Sequence, residues 1–358
     1  MNSFDALELK AGKSAHTWIM DGGLKPEMIR VMAGAAGGPK WIVLGHLDRF
    51  IFGEWLKGHK KPISFLASSI GAWRFASSMA FEDPLKGLEL FKEGYFEQSY
   101  SDKPTREEIT ATFPQVMGSY INEETIPRIL NHAYGRLHLL AVRSKGLVAS
   151  ENRLFQGLGL LATMMGNAMS RKSLKAFFER TRFFDPREPE NFMGEDTFPR
   201  VDVALTEQNF EEAMLATSAI PMVMAGIPDV TAAPKGMYRD GGLIDYHLTF
   251  PYELGEGEIV FQPHFFEEVK PGWFDKRLKS RKPSEAERDR VLLAYPSKKF
   301  IEGLPDGRVT DRKDFEVFST TARQKRWEQA FDQSQRLADD FAEWILSGKI
   351  KDKVKLWV

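Results

Sequence analysis

The chain has 358 residues, and we expect them to form one large elaborated domain. Its 49 lysine and arginine residues nearly balance 50 aspartate and glutamate residues, so no overall field would steer it to nucleic acid, and no nucleic-acid partner is predicted. The absence of cysteine excludes disulfides, thiolate metal sites, iron–sulfur clusters and a cysteine nucleophile.

The first thirty residues lack the apolar core of a secretory signal, so we expect a cytoplasmic protein, with peripheral membrane contact left open. The most apolar window, Leu154 to Met169, falls short of a membrane-spanning length and includes Gln156 and Asn167. It indicates either a buried or amphipathic core helix, or a mobile lid or lipid-facing surface.

Two strand–turn–helix units follow each other near the N-terminus. Ile29 to Met32 is a β-prone run that leads through small residues into a helical pattern from Trp41 to about Ile51. Ile63 to Ala67 is the second predicted strand, Ser68 to Gly71 a tight turn, and Ala72 to Ala80 a helix. Two such units in succession predict parallel strands joined by helical crossovers.

Further elements alternate along the chain. We predict helices over 83–100, 152–182 and 209–217, and strands over 137–142, 201–205, 259–262 and 291–295. The charged segment from Lys276 to Arg290 indicates a solvated surface or a contact to phospholipid headgroups. The chain closes with one long helix whose apolar stripe, Trp327 to Ile345, is a packing face or a contact to a partner or membrane.

These elements predict an α/β fold with three segments. Residues 1–28 form an N-terminal extension, residues 29–300 the main domain, and residues 301–358 a helical C-terminal extension packed on that domain.

The segment FLASSIGAW, residues 65–73, contains a candidate nucleophile. A serine hydroxyl attacks only when a base takes its proton and hydrogen-bond donors stabilise the resulting oxyanion. Ser69 lies at the predicted strand-to-helix turn, two residues before Gly71, where a sharp, exposed elbow can form. The combination A-S-S-x-G is common, so it does not establish a catalytic serine by itself.

The segment GAAGGPK, residues 34–40, contains candidate oxyanion-hole donors. At the start of a helix the N–H groups are unpaired and the dipole favours negative charge. Gly37 and Gly38 are the best donors, because Pro39 has no N–H and suits a first helical turn. A phosphate loop is excluded, since Pro39 stands where glycine is required and Trp41 where serine or threonine is required. A tight turn without a ligand remains an alternative.

The segment YRDGG, residues 238–242, contains a candidate acid. Asp240 precedes two glycines, a turn that would expose its carboxylate, although an ordinary turn aspartate explains the pattern equally well. None of the seven histidines lies in a recognisable motif.

Taken together and in this order, these segments resemble the patatin-like phospholipase family. The resemblance becomes specific at Leu215 to Pro221 (LATSAIP), which looks like the A-S-x-A-I-P stretch ahead of the family's D-G-[GA] motif. It spans about residues 30–263. The fold it implies is a three-layer patatin-like α/β fold whose mostly parallel central sheet is flanked by helices.

The resemblance also implies roles for individual residues. Ser69 would attack an acyl ester, and Asp240 would help remove its proton in a dyad without histidine. Gly37 and Gly38 would form the oxyanion hole, with Lys40 as the family's basic residue. The supporting glycines would be Gly71, Gly241 and Gly242.

Three departures from the family pattern stand out. Ala67 opens the elbow where glycine is usual. Ala36 and Trp41 replace glycines of the oxyanion loop. After the D-G-G motif, LIDYH, residues 243–247, stands where asparagine and proline are frequent.

The implied function is a serine acyl hydrolase acting on fatty-acyl esters of phospholipids or related lipids, with no cofactor or metal and with Leu154 to Met169 as part of the acyl site. One alternative is an α/β-hydrolase with a triad of Ser69, Asp240 and His264. Another is a catalytically silent lipid-binding module, which the altered oxyanion loop would favour. The sequence gives no indication of the oligomeric state.

Overall fold

The structure is a computed structural model that describes residues 4–189 and 191–358. These residues form an α/β fold around an eleven-stranded sheet. The strands are β1 (Leu7–Ala11), β2 (Ile29–Gly34), β3 (Ile63–Ala67), β4 (Gly135–Ser144), β5 (Phe178–Phe184), β6 (Arg200–Ala204), β7 (Ile227–Pro228), β8 (Met237–Asp240), β9 (Ile259–Pro263), β10 (Val291–Pro296) and β11 (Val354–Leu356).

The sheet has the strand order β11-β1-β10-β9-β2-β3-β4-β5-β6, with β8 paired to β4 and β7 paired to β8. The central run from β10 to β4 is parallel throughout, whereas β1, β5 and β8 join it antiparallel. The predicted mostly parallel sheet is therefore confirmed. The paired C-terminal residues of β2 and β3, Gly34 and Ala67, bring the two predicted turns to the same sheet edge.

Helices flank this sheet, as predicted. The α-helices of the described residues are α1 (Lys13–Gly22), α2 (Gly45–Phe50), α3 (Ile70–Met79), α4 (Pro84–Glu97), α5 (Arg106–Gly118), α6 (Thr125–Leu130), α7 (Arg153–Met169), α8 (Phe210–Ala216), α9 (Glu285–Arg288), α10 (Lys298–Glu302), α11 (Asp314–Val317), α12 (Thr320–Gln333), α13 (Gln335–Leu346) and α14 (Ile350–Lys353). Within the same residues, none of these helices is both long and apolar enough to cross a bilayer.

The alternation of side chains along the central strands separates two hydrophobic cores. Phe65 of β3 belongs to the larger core, which also contains Phe91 of α4 and Trp327 of α12. The next residue, Leu66, points to the opposite face and packs in a smaller cluster with Phe250. Burial on both faces explains why the central strands read as nearly continuous apolar runs.

Two predicted helices are wrong in extent. The helix expected over 152–182 ends at Met169, and Phe178–Phe184 instead forms β5, because this segment pairs antiparallel with β4 from Ser144 back to Leu139. The single C-terminal helix is two helices, α12 and α13, which meet at Ser334.

The chain termini both contribute to the sheet. β1 pairs with β10 and with β11, so residues 7–11 and 354–356 lie together at one end of it. The C-terminal helices pack on the main fold, as expected: α13 contacts α2, and α12 contacts the 3-10 helix Gly38–Leu44. The rings of Trp41 and Phe331 are 6.5 Å apart in that contact.

A buried ion pair fixes α3, the helix that follows Ser69, against α2. Arg74 donates from Nε to Oδ2 of Asp48 at 2.7 Å and from Nη2 to Oδ1 at 2.6 Å. Both side chains are 2% exposed. This two-pronged geometry satisfies both charges where water cannot.

We expect Asp48→Ala to lower the free energy of unfolding by about 3 to 5 kcal/mol, because the Arg74 guanidinium would stay buried without a counter-charge. Glu343→Ala is the control, since it removes the solvent-exposed pair between Lys349 and Glu343 and should cost less than about 1 kcal/mol. Urea unfolding of both variants measures the difference. Equal losses of unfolding free energy in the two variants would contradict the role of Asp48 as the buried counter-charge of Arg74.

Candidate functional site

Ser69 occupies a strained turn between β3 and α3. Its φ of 55° and ψ of −128° lie in a region that residues with a side chain rarely adopt. The side chain is 6% exposed and lines a cavity. A single non-glycine residue in such a conformation at a strand-to-helix junction has the geometry of a nucleophile elbow.

The elbow depends on a close approach between β2 and α3. A Cβ added to Gly71 would overlap the carbonyl oxygen of Gly34, so only glycine fits there. Ala67 is the last residue of β3 and pairs with Gly34 on one side and Leu139 on the other. It has no positive φ, so alanine is accommodated where the family usually has glycine.

The segment Leu215 to Pro221 holds the elbow in place through hydrogen bonds. Thr217 accepts a hydrogen bond from the N–H of Ser69 at 3.0 Å and donates from Oγ1 to the carbonyl of Leu140 at 2.5 Å. Ser218 accepts from the indole of Trp73 at 2.8 Å. These supporting roles were not predicted individually, although the LATSAIP motif marked the segment.

Asp240 lies at the end of β8, where the main chain passes beside Ser69. Its N–H donates to the carbonyl of Ala219 at 3.1 Å, and its Oδ1 accepts from the N–H of Gly242 at 2.7 Å. The Ser69 side chain lies close enough to the carboxylate to lower the pKa of Asp240. The structure therefore brings the two predicted dyad residues together.

The two glycines after Asp240 are sterically required. A Cβ on Gly241 would overlap the carbonyl oxygen of Leu140, and one on Gly242 would lie 2.7 Å from the Cβ of Ala36. The D-G-G turn is thus wedged between β4 and the glycine-rich loop.

Burial raises the pKa of Asp240 from its usual 3.8 to about 6. The hydrogen bonds from Ser69 and Gly242, and the nearby charges of Arg312 and Lys276, act in the opposite direction and lower the pKa. Burial disfavours the charged form of a carboxylate, and the donors and cations partly compensate. A carboxyl that titrates near pH 6 can accept and return a proton at neutral pH.

The glycine-rich loop runs from the end of β2 to the cavity. The N–H of Ala36 is occupied, since it donates to the carbonyl of Tyr246 at 2.9 Å. Gly37 caps the 3-10 helix Gly38–Leu44, so the N–H groups of Gly37 and Gly38 precede its first internal hydrogen bond. Gly38 has a φ of 57° and lines the cavity with Ser69.

The predicted α-helix after the loop begins as this 3-10 helix and becomes α2 only at Gly45. The side chain of Trp41 packs in the core, where its ring centroid lies 4.3 Å from that of Phe91 and 5.5 Å from that of Tyr95. Trp41 therefore anchors the loop in the core, a role a glycine could not take.

Residues beyond the region of resemblance complete the loop's surroundings. Lys40 forms a salt bridge with Asp311. Thr310 donates from Oγ1 to the carbonyl of Pro39 at 2.7 Å, and Arg312 lines the cavity. Lys40 thus holds the loop to the C-terminal segment. No local signal in residues 310–312 predicted this contribution.

The cavity beside Ser69 has a volume of about 680 Å³. Its wall combines apolar side chains with a polar margin; the apolar residues include Trp73, Ile109, Phe113, Ile220, Val223 and Phe315. No residue of α7 lines it, so the expectation that Leu154 to Met169 contribute to this pocket is wrong.

The histidines nearest the motifs make other contacts. His264 Nδ1 lies 2.6 Å from the carbonyl of Phe266, and His247 Nδ1 accepts from the N–H of Lys270 at 2.9 Å. Within the described parts of the chain, neither side chain hydrogen-bonds to Ser69 or Asp240. The same parts contain no group of three acidic or histidine side chains that could hold a metal.

Comparison of the chain with protein-family models and with curated proteins gives no match. The resemblance to patatin-like phospholipases therefore depends on the sequence motifs alone.

We expect Asp240→Asn to increase the free energy of unfolding at pH 8, because ionising a carboxyl whose pKa is raised from 3.8 to about 6 costs about 3 kcal/mol. The sign follows from the raised folded-state pKa. The stability of the protonated form is fully present below about pH 4 and is lost as the pH rises through 6.

The gain should therefore shrink towards pH 4 and reach its maximum above about pH 7, as measured by denaturant unfolding at several pH values. Asp21→Asn, at an exposed position, provides the control and should change stability little at any pH. A gain that does not vary with pH would argue against a raised pKa.

Proposed function

We propose that the protein is a serine acyl hydrolase in which Ser69 is the nucleophile and Asp240 the base. The observation that carries this proposal is the strained Ser69, which lies at the wall of a cavity and beside the buried carboxylate of Asp240. A strained serine backbone and a buried carboxylate are both costly to a fold, and their coincidence at one cavity favours a functional site.

In the first half of the reaction, Ser69 Oγ attacks the ester carbonyl carbon while its proton passes to the Asp240 carboxylate. The carbonyl oxygen becomes an oxyanion, which faces the N–H groups of Gly37 and Gly38. Collapse of this tetrahedral intermediate breaks the bond to the alcohol oxygen, which leaves with the proton held by Asp240. The acyl group stays on Ser69 as an ester.

In the second half, water replaces the alcohol. Asp240, again ionised, accepts a proton from the water as its oxygen attacks the acyl-enzyme carbonyl carbon. The second intermediate uses the same oxyanion donors. Its collapse releases the carboxylic acid and returns the proton to Ser69, so the enzyme is regenerated without any external group.

The cavity supports fatty-acyl esters of phospholipids or related lipids as substrates. Trp73, Phe113 and Ile220 provide an apolar surface for an acyl chain on the wall that also carries Ser69. The guanidinium of Arg312 lies in the same wall, where it suits a polar or anionic part of the substrate.

The hydrogen bonds around the site favour a dyad over the triad with His264. A triad needs an imidazole that bonds both the serine and the acid. Here the Ser69 side chain lies beside Asp240 and lowers its pKa, whereas His264 Nδ1 lies 2.6 Å from the carbonyl oxygen of Phe266. Gly38, a candidate oxyanion donor, lines the cavity beside Ser69, and this position argues against a catalytically silent lipid-binding module.

A fluorophosphonate probe tests the nucleophile. We expect one adduct on Ser69 and release of fatty acid from phospholipid or lysolipid, with Ser69→Ala and Asp240→Asn each reducing release about a thousandfold or more. Ser68→Ala is the matched control, since its hydroxyl is buried without a hydrogen-bond partner and should be dispensable. His264→Ala should keep activity within about tenfold.

The outcome that rules out the hydrolase is the absence of an adduct on Ser69 together with no release above the Ser69→Ala background from phospholipid, lysolipid or short soluble esters. Loss of activity in His264→Ala by several orders of magnitude, in a folded protein, would instead favour the triad.

The pH dependence tests the base separately. Because Asp240 must be ionised to accept a proton, kcat/KM should rise with pH and level off above an apparent pKa of about 6. Arg312→Gln removes a positive charge that lowers the pKa of Asp240, so the rise should move to higher pH. Arg128→Gln, at an exposed position, should leave the profile unchanged. A profile unaltered by Arg312→Gln would contradict this electrostatic role.

A further inference from the structure

Helix α7 buries a polar side and exposes an apolar side. Its buried residues are Gln156, Gly159, Thr163 and Asn167, whereas its large apolar side chains are exposed, apart from Leu160, which packs on a small hydrophobic cluster. The exposed face, named here the α7 face, consists of Leu154, Phe155, Leu158, Leu161, Met165 and Met169, which are between 48% and 89% exposed. Their spacing of three and four residues places them on one side of the helix.

The polar side of α7 is what attaches it to the fold. Gln156 Oε1 accepts from the guanidinium of Arg106 at 2.9 Å and from the N–H of Met222 at 3.0 Å. Asn167 donates to the buried carboxylate of Asp275 at 2.8 Å. Folding therefore does not require the outward apolar residues, and an apolar stripe of this size in water calls for an occupant.

Two basic segments lie at the C-terminal end of the same helix, and most of their cations have no acidic partner among the described residues. Arg171 and Arg281 both reach Asp275, at 3.4 and 3.9 Å, and so tie two basic segments to the end of α7. Within these segments, the basic rim consists of Lys172, Lys175, Arg277, Lys279 and Lys282, all exposed. None of the five forms a salt bridge with any residue in 4–189 or 191–358. Residues 170–177 and 276–282 contain no acidic residue.

We propose that the α7 face and the basic rim dock the protein on an anionic phospholipid surface. An apolar helix face lies in the plane of such a surface, and lysine and arginine beside it add attraction to acidic headgroups. The 17-residue α7 cannot span a bilayer, which agrees with a helix that lies on it. A second copy of the chain is a poorer occupant, because a two-fold contact here would bring the two basic rims together.

The docked helix is coupled to the candidate site. Gln156 in the first turns of α7 holds the backbone of Met222, whose neighbours Ile220 and Val223 line the cavity. Docking through α7 therefore places the cavity near the lipid. The docking proposal itself does not require Ser69 to be catalytic.

Co-sedimentation with vesicles tests docking, with Ser69→Ala as the background so that no lipid is consumed. We expect binding to phosphatidylcholine vesicles that contain about 30% phosphatidylserine and much weaker binding to pure phosphatidylcholine, with a loss of affinity as salt rises. The triple change Leu158→Ser, Leu161→Ser and Met165→Ser should weaken binding at least roughly tenfold. The matched control changes three exposed apolar residues elsewhere, Met20→Ser, Leu346→Ser and Val358→Ser, and should bind normally.

The charges are tested in the same way. Lys172→Glu, Lys175→Glu and Lys279→Glu together should weaken binding at least roughly thirtyfold. The control reverses three exposed lysines far from α7 in sequence, Lys57→Glu, Lys60→Glu and Lys61→Glu, and should have little effect. Thermal unfolding of each variant shows that it is folded.

Three results would overturn the proposal: no binding to anionic vesicles at low salt, equal binding to neutral and anionic vesicles, or an α7-dependent dimer in light scattering in place of vesicle binding. Hydrolysis of a short soluble ester by the protein with intact Ser69 separates the two proposals. Vesicle binding by a protein that forms no adduct on Ser69 and releases no product from phospholipid, lysolipid or short soluble esters would leave docking standing and reject the hydrolase. Hydrolysis of the short soluble ester without vesicle binding would reject docking alone.

Discussion

The burial of the Asp240 carboxylate beside Ser69 is the constraint on which the rest of the site depends. The carboxylate has little contact with solvent, so its charge must be met by the N–H of Gly242, the Ser69 side chain and more distant cations. The main chain can come close enough only because Gly241 and Gly242 lack side chains. These groups compensate only part of the cost of burying the charged carboxylate, so the pKa of Asp240 is raised to about 6. This is the range that a base acting at neutral pH requires.

The C-terminal segment is part of this arrangement, although it lies outside the motifs. The glycine-rich loop has alanine at residue 36 and tryptophan at residue 41, and it is held by contacts from elsewhere. Trp41 packs against aromatic rings of the core, Thr310 bonds to the carbonyl of Pro39, and Asp311 pairs with Lys40. The departures from the glycine pattern thus coincide with tertiary anchors, so the loop's shape comes from packing where it cannot come from glycine flexibility.

The apolar window Leu154 to Met169 shows that an apolar composition does not by itself mean that the apolar side chains are buried. A run of leucine and methionine suggests a core helix, yet α7 turns glutamine, threonine and asparagine inward and its apolar residues outward. Hydrogen bonds of Gln156 Oε1, Thr163 Oγ1 and Asn167 Nδ2 offset part of the cost of burying this polar side. The cavity beside Ser69 is lined by other elements, which leaves α7 as a surface feature next to the site.

The sequence by itself determined β2 and β3 and the turns that follow them, because these depend on local patterns of apolar, small and capping residues. The pairing of Ser69 with Asp240 came from the resemblance and stays a prediction. The sequence could not distinguish β5 from helix, since residues 178–184 become a strand only by pairing with β4. Nor could it place β1 and β11 in one sheet or bring residues 310–312 to the loop. Only the tertiary structure decided these features and the orientation of α7, because each follows from contacts between distant residues and from which face of an element is left without a neighbour.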